Sequence, residues 1–399
     1  MGLLKIILFI FILLFPIAEV GRIQFVNGVA ISLNDVLLCV LIVVWVGFHL
    51  YKKKKFDKGF LFKPVFLFSL IGFLSLLLNF LNLKLDALLI SFSYLLRWAS
   101  YASLYFIVKE FNPKLKLKIN YILLISGFFV VLIGFAQYFF YPSLRNLYYL
   151  GWDEHLYRLF SSFLDPNFAG AFFVIYFLFT LSFIANFIKR KYWFKFSIVG
   201  TMGFLTLVAL YLTYSRSALI MLAISVVVYL YLINKKKFIL LILLGLLLAI
   251  FILPKSFQTE GTNFLRATSS ESRVSTAKEA LVIIQRNPLY GVGFNAFRYA
   301  RNQQGMTGSN WEFSHGAAGT DNSFLFVMAT TGVIGFVAFL WLIYKIFLLG
   351  KINLKKNKLS IVLISLIVGL IFNSIFVNSF FYVLILEWVW IIAGLTENS

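Results

Sequence analysis

Of the chain's 399 residues, 61% are hydrophobic, 19% aromatic and only 13% charged, a charge fraction about half that of ordinary soluble domains. So little polar surface could not cover the exterior of a soluble enzyme of this size, and a mean hydropathy of +0.92 points instead to a polytopic membrane protein. The net charge of +21, from 36 Lys and Arg against 15 Asp and Glu, would suggest nucleic acid in a soluble protein, but the positions of these charges decide otherwise.

Apolar stretches of about 17 to 25 residues, the length that crosses a bilayer, predict twelve helices. The first six run from Leu3 to Ala18, Leu33 to Leu50, Phe62 to Asn82, Ala87 to Val108, Ile119 to Tyr141 and Phe168 to Ile188. The second six run from Phe196 to Tyr214, Ser217 to Ile233, Phe238 to Leu253, Asn322 to Leu349, Leu359 to Val377 and Ser379 to Leu395. The first run resembles a signal peptide in outline, but its small-residue cleavage pattern is poor, so an uncleaved span is expected. The whole chain, 1–399, is expected to be one integral membrane domain without internal repeats.

The connecting charges test this count independently. Lys52 to Lys55 with Lys58, then Lys109, Lys114, Lys116 and Lys118, then Lys189, Arg190, Lys191 and Lys195 fill the second, fourth and sixth loops. Lys235 to Lys237 fill the eighth, and Lys351, Lys355, Lys356 and Lys358 the tenth. Cytoplasmic loops are enriched in Lys and Arg, so this alternation places both termini in the cytoplasm and explains the net charge as topology, with no nucleic acid partner.

Two loops on the opposite, outer side are long: Pro142 to Asn167, and the 68 residues of Pro254 to Asp321 between the ninth and tenth spans. Connections of that length are usually functional. Within the longer one, Val274, Ala277, Leu281 and Ile284 share a helical face that Asn287-Pro288 would end. Thr268 and Thr276 each open a capping-box pattern, with Glu271 and Glu279 three residues on. Such a helix suits the outer membrane interface.

The polar residues of these loops are the candidate site. Arg216 lies between Ser215 and Ser217 in a turn too short to be a solvated loop, on the side where topology gives no reason for a cation. Arginine's planar fork of donors suits phosphate oxygens. Arg273 has an ordinary alternative, pairing with Glu271. Asp321 and Asn322 stand where the chain returns to the membrane, and either suits a helix N-cap; the other role for Asp321 is that of a base at the membrane edge. His315, in a Gly- and Ala-rich loop, is the other candidate base. Metal chemistry is thinly supplied, because Cys39 is the only cysteine and His49, His155 and His315 show no ligand-like spacing. The segment Gly291-Val-Gly293-Phe-Asn-Ala296 matches a dinucleotide fingerprint but lacks the strand and parallel sheet that motif needs. Its glycines are better explained by a tight turn or a close approach to a ligand. Inside the spans, Arg97 and Glu387 each cost ~2.5–3.5 kcal/mol to insert and, at similar depth, are expected to pair. Lys345 is expected to snorkel.

Taken in order, Arg158-Leu-Phe-Ser-Ser-Phe-Leu-Asp165-Pro-Asn167, Leu212-Thr-Tyr-Ser-Arg216-Ser-Ala, Arg273 with Ala280-Leu, Pro288-Leu-Tyr-Gly-Val-Gly293, and Asp321-Asn-Ser-Phe-Leu leading to Thr331-Gly-Val-Ile-Gly335 resemble the O-antigen ligase and polymerase superfamily of bacterial membrane glycosyltransferases. The resemblance implies transfer of a glycan from an undecaprenyl-diphosphate carrier to an acceptor glycan or glycolipid, on the outer face of the bacterial inner membrane, with no metal or other cofactor. It implies that Arg216 and Arg273 contact the pyrophosphate, with Arg158 also on the substrate side. Ligases of this family carry a His just before the Asn that opens the next span. This chain has Asp321 there, so Asp321 or His315 is the expected base. The competing reading is a transporter or flippase for an amphipathic glycolipid, with Arg97 and Glu387 as its working residues.

Overall fold

The computed structural model describes residues 2–24, 30–240, 244–245, 262, 268–308, 311 and 319–397. Its helices are α1 Gly2–Leu14, α2 Leu33–Lys52, α3 Phe62–Leu78, α4 Leu85–Lys109, α5 Pro113–Phe140, α6 Pro166–Lys189, α7 Trp193–Leu212 and α8 Arg216–Leu232. There follow α9 Thr268–Arg286, α10 Phe297–Gln303, α11 Ser323–Asn353, α12 Leu359–Asn373 and α13 Val383–Thr396. The only strands among the described residues are β1 Arg22–Gln24 and β2 Ala30–Ser32, an antiparallel pair. Eleven of the twelve expected spans coincide with a helix. The other, Phe238 to Leu253, falls mostly outside the described residues.

Among the described residues, five helices, α2, α5, α6, α7 and α11, are long and apolar enough to cross a membrane, and five shorter apolar ones accompany them. Their outward faces carry large apolar side chains such as Val43, Phe129, Phe194 and Leu77. That arrangement is stable only if hydrocarbon, not water, surrounds the bundle. Several helix starts are set by capping residues. Ser32 and Asp35 form a reciprocal box on α2, Asn112 precedes Pro113 on α5, and Asp165 precedes Pro166 on α6. Each cap satisfies backbone N–H groups that the next turn leaves without partners.

At the centre lies α6, buried on nearly every side from Ala169 to Phe179 and packed by α7, α8 and α12. Trp388 of α13 meets the rings of Phe15, Phe172, Tyr176 and Phe179. Phe15, just after α1, is thus built into the core. Further contacts join α4 to α13 and α3 to α11.

The intramembrane charges are paired, but not with each other. Arg97 grips Asp35 with two hydrogen bonds, from Nε at 2.8 Å and Nη2 at 2.7 Å, and Tyr101 donates to the same carboxylate at 3.1 Å. Glu387 instead accepts from Asn34 at 3.1 Å. The expected Arg97–Glu387 pair is therefore corrected: the first turn of α2 supplies adjacent residues, Asn34 to α13 and Asp35 to α4. The two helices do pack together, but each charge takes its partner from α2, which depth alone could not reveal. Lys345 lies over the rings of Phe60 and Trp341, 5.2 and 5.8 Å from their centroids.

Candidate active site

Four segments remote in sequence meet at the end of the bundle away from the lysine-rich loops. The first, Arg158 to Asp165, is held by Gln137 near the end of α5. Its carbonyl oxygen accepts from Phe160 N and Ser161 N, at 2.8 and 3.1 Å, while its amide nitrogen donates to the carbonyls of Tyr141 and Arg158. Nothing in the sequence pattern marked Gln137, because one glutamine near a helix end has no distinctive spacing.

The second segment is the Thr213–Ser217 turn between α7 and α8. Arg158 is buried, and its Nε donates to the Thr213 carbonyl at 2.9 Å; beside it, Leu159 N bonds Leu212 O at 2.9 Å. Ser215 Oγ donates to Asn167 Oδ1 at 3.1 Å and lies 3.2 Å from Ser217 Oγ. The hydroxyls flanking Arg216 therefore tie its turn to the start of α6, and the guanidinium projects from the first residue of α8. The N-terminal end of that helix dipole adds to the local positive field. Tyr211 and Tyr214 have ring centroids 6.1 Å apart beside this turn, and Tyr138 lies within electrostatic range of both. Tyr214 belongs to a motif quoted above; Tyr138 and Tyr211 carried no signal.

The third segment is α9. It begins at Thr268 and ends at Arg286, just before Asn287-Pro288, so Thr276 is an interior residue. Its buried stripe is Ala280, Ile283 and Ile284, whereas Val274 and Leu281 are about half exposed. Of the expected face, Ile284 is buried while Val274 and Leu281 stay open. The helix carries two apolar stripes, and the inward one is displaced from Val274 and Leu281. Arg273, seven residues before Ala280, falls on the inward side. It turns from Glu271 toward Asp321, with Nε 3.8 Å from Oδ2.

The fourth segment is the start of α11. Asn322 is its cap, accepting from Phe324 N at 2.8 Å and Leu325 N at 3.0 Å. Asp321 is thereby relieved of capping. About half of its side-chain surface is open, which leaves the carboxyl able to exchange protons with water. The surrounding protein is still dense enough that loss of hydration is the largest influence on it. That loss pushes its pKa above the ordinary 3.8, with Asp165 and Asp153 acting in the same direction and Arg273 opposing. Arg216 and Arg273 are close enough to repel one another. Arg216, Arg273 and Asp321 therefore form one electrostatic cluster. His315 lies outside the described residues.

Glycines hold α9 in place. Gly332 interrupts α11 at φ 65°, ψ −172°, and the carbonyls freed by the break are taken by the loop after α9. Val292 N bonds Ala329 O and Gly293 N bonds Thr330 O, both at 3.0 Å, and Val333 N bonds Pro288 O at 2.8 Å. A Cβ on Gly291 would lie 2.4 Å from Thr330 C, and one on Gly332 would lie 2.2 Å from Leu289 O. The Gly-x-Gly segment is thus a tight turn, with Gly291 and Gly293 at positive φ, spliced backbone to backbone onto α11, so that its close approach is to that helix and not to a ligand. Ser75 of α3 and Asn79 just beyond complete it, donating to the carbonyls of Tyr290, Thr330 and Gly291.

Residues 201–340 match the family model described as O-antigen ligase (Wzy_C). This stretch is similar to the O-antigen ligase family. The matched stretch runs from α7 through the first half of α11 and contains Arg216, Arg273, Asp321 and the glycine splice. No curated protein matches the chain.

Proposed function

We propose that this protein is a multi-pass membrane glycosyltransferase of the ligase or polymerase type, as the family match over residues 201–340 supports. It transfers a glycan from an undecaprenyl-diphosphate carrier to an acceptor sugar on the outer face of the inner membrane. The observation that carries the reading is the meeting of Arg216, Arg273 and Asp321 from three distant segments.

In this reading the carrier enters from the bilayer and its diphosphate settles between the two guanidiniums, whose mutual repulsion the anion relieves. As the acceptor oxygen attacks the anomeric carbon, the bond from that carbon to the diphosphate breaks, and the two fixed cations stabilise the charge developing on the leaving group. They do there what a divalent metal does in other transferases, so chelation with EDTA is expected to leave the rate unchanged. Asp321 takes the acceptor's hydroxyl proton. Its pairing with Arg273 is loose, and a bound diphosphate competes for that guanidinium, which makes the carboxylate a stronger base when donor is present. Arg158 acts through the turn it holds, as a positioning residue for Arg216.

The test is reconstitution in liposomes with lipid-linked oligosaccharide, following release of undecaprenyl diphosphate. Arg216→Ala is expected to lose roughly 10²–10³-fold in rate, and Asp321→Asn to fall to background while His315→Ala remains active. Full activity of Arg216→Ala, in protein that runs as wild type on gel filtration, would overturn the mechanism. Loss in His315→Ala alone would move the base to His315.

A further inference from the structure

The opposite end of the bundle holds a second, unrelated feature: a cavity of about 520 Å³ between the starts of α5 and α12 and the ends of α6 and α13. Its polar lining includes Lys116, Lys356, Lys358, Asn120 and Asn186, with no acidic residue among the described ones. Lys116 Nζ is anchored on the Glu397 backbone carbonyl at 2.6 Å, while Lys358 lies 3.4 Å from the Asn186 amide oxygen. The nearby Glu397 carboxylate is committed elsewhere, accepting from Phe60 N and the Tyr105 hydroxyl. Asn120 Oδ1 is buried without a hydrogen-bond partner, an arrangement costly enough to suggest an absent donor. Leu117 and Tyr121, which also line the cavity, are exposed on the apolar outer surface. The cavity therefore joins a basic loop cluster to the hydrocarbon-facing side of α5.

We propose that this cavity binds the headgroup of an anionic phospholipid with free hydroxyls, of the phosphatidylglycerol type. Its phosphate meets the lysines, a headgroup hydroxyl donates to Asn120 Oδ1, and its acyl chains run out past Leu117 and Tyr121. Basic pockets between membrane helices suit such headgroups, because phosphate is attracted by several ammonium groups at once while the chains remain in lipid. The site is independent of the transfer chemistry at the other end.

The test is native mass spectrometry of the purified full chain in detergent, with phosphatidylglycerol, phosphatidylethanolamine or inorganic phosphate added. One phosphatidylglycerol is expected to be retained under activation that strips phosphatidylethanolamine. The double variant Lys356→Ser/Lys358→Ser, at two exposed positions, is expected to weaken retention about thirtyfold, and Asn120→Leu to narrow the preference for phosphatidylglycerol. A control at another basic loop, Lys53→Ser/Lys54→Ser, should bind as wild type. Equal retention in the wild type and the double variant would overturn the site. Displacement of the lipid by millimolar inorganic phosphate would overturn the lipid assignment in favour of a free-anion site.

Discussion

Replacing Gly332 with alanine tests whether the glycine splice positions Arg273. At φ 65° and ψ −172° the backbone occupies a region essentially reserved for glycine, where a side chain costs about 1–3 kcal/mol. The added Cβ would also stand 2.2 Å from Leu289 O, so the loop must withdraw. Withdrawal forfeits the three backbone hydrogen bonds that join residues 288–293 to 329–333, at about 1 kcal/mol each. The expected total is about 4–6 kcal/mol, large against the stability of most domains. Thermal unfolding in detergent, followed by tryptophan fluorescence, should show a melting temperature well below wild type. Transfer should be impaired even at temperatures where the variant is folded, because α9 and Arg273 are no longer held against α11. The control is Gly308→Ala, where an added Cβ meets nothing within 4 Å. If Gly332→Ala melted and turned over as wild type does, the splice could not be what places the arginine.

If Asp321 is the base, transfer is expected to fall on acidification through a pKa above 3.8, because a base must be ionised and loss of hydration favours the protonated form; a pH–rate profile of wild type beside Asp321→Asn checks this. For stability the sign is opposite. A raised carboxyl pKa stabilises the fold below its unfolded value, and that contribution is lost as pH rises through the folded value, so Asp321→Asn should melt no lower than wild type at neutral pH. Removing one partner of the largely buried Arg97–Asp35 pair, by Arg97→Met or Asp35→Asn, should cost about 3–5 kcal/mol, with the double variant losing less than the sum; strict additivity in the melting data would show that the two do not interact. Glu387→Gln keeps an acceptor for Asn34 and should stay within about 1 kcal/mol of wild type, whereas Glu387→Leu leaves that amide unpaired and should cost about 1–3 kcal/mol.

The linear pattern already carried the all-helical class and most helix positions, because hydrocarbon length and apolar composition are local properties. Capping residues are local too, which is why the stop before Asn287-Pro288 appears where the sequence placed it. The motif order also singled out Arg216, Arg273 and Asp321, since short polar motifs stand out in so apolar a chain. Other features depend on which helices are neighbours. The sequence could pair Arg97 with anything at its depth, and only packing selects Asp35. The periodicity of α9 did not say which side would be buried; packing buries Ala280, Ile283 and Ile284. Whether Asp321 capped a helix or stood beside an arginine turned on Asn322 taking the backbone N–H groups. Local chemistry determines where a helix begins and how far it extends. Which residue faces which is decided by long-range contact, because each side chain's partner comes from another part of the chain.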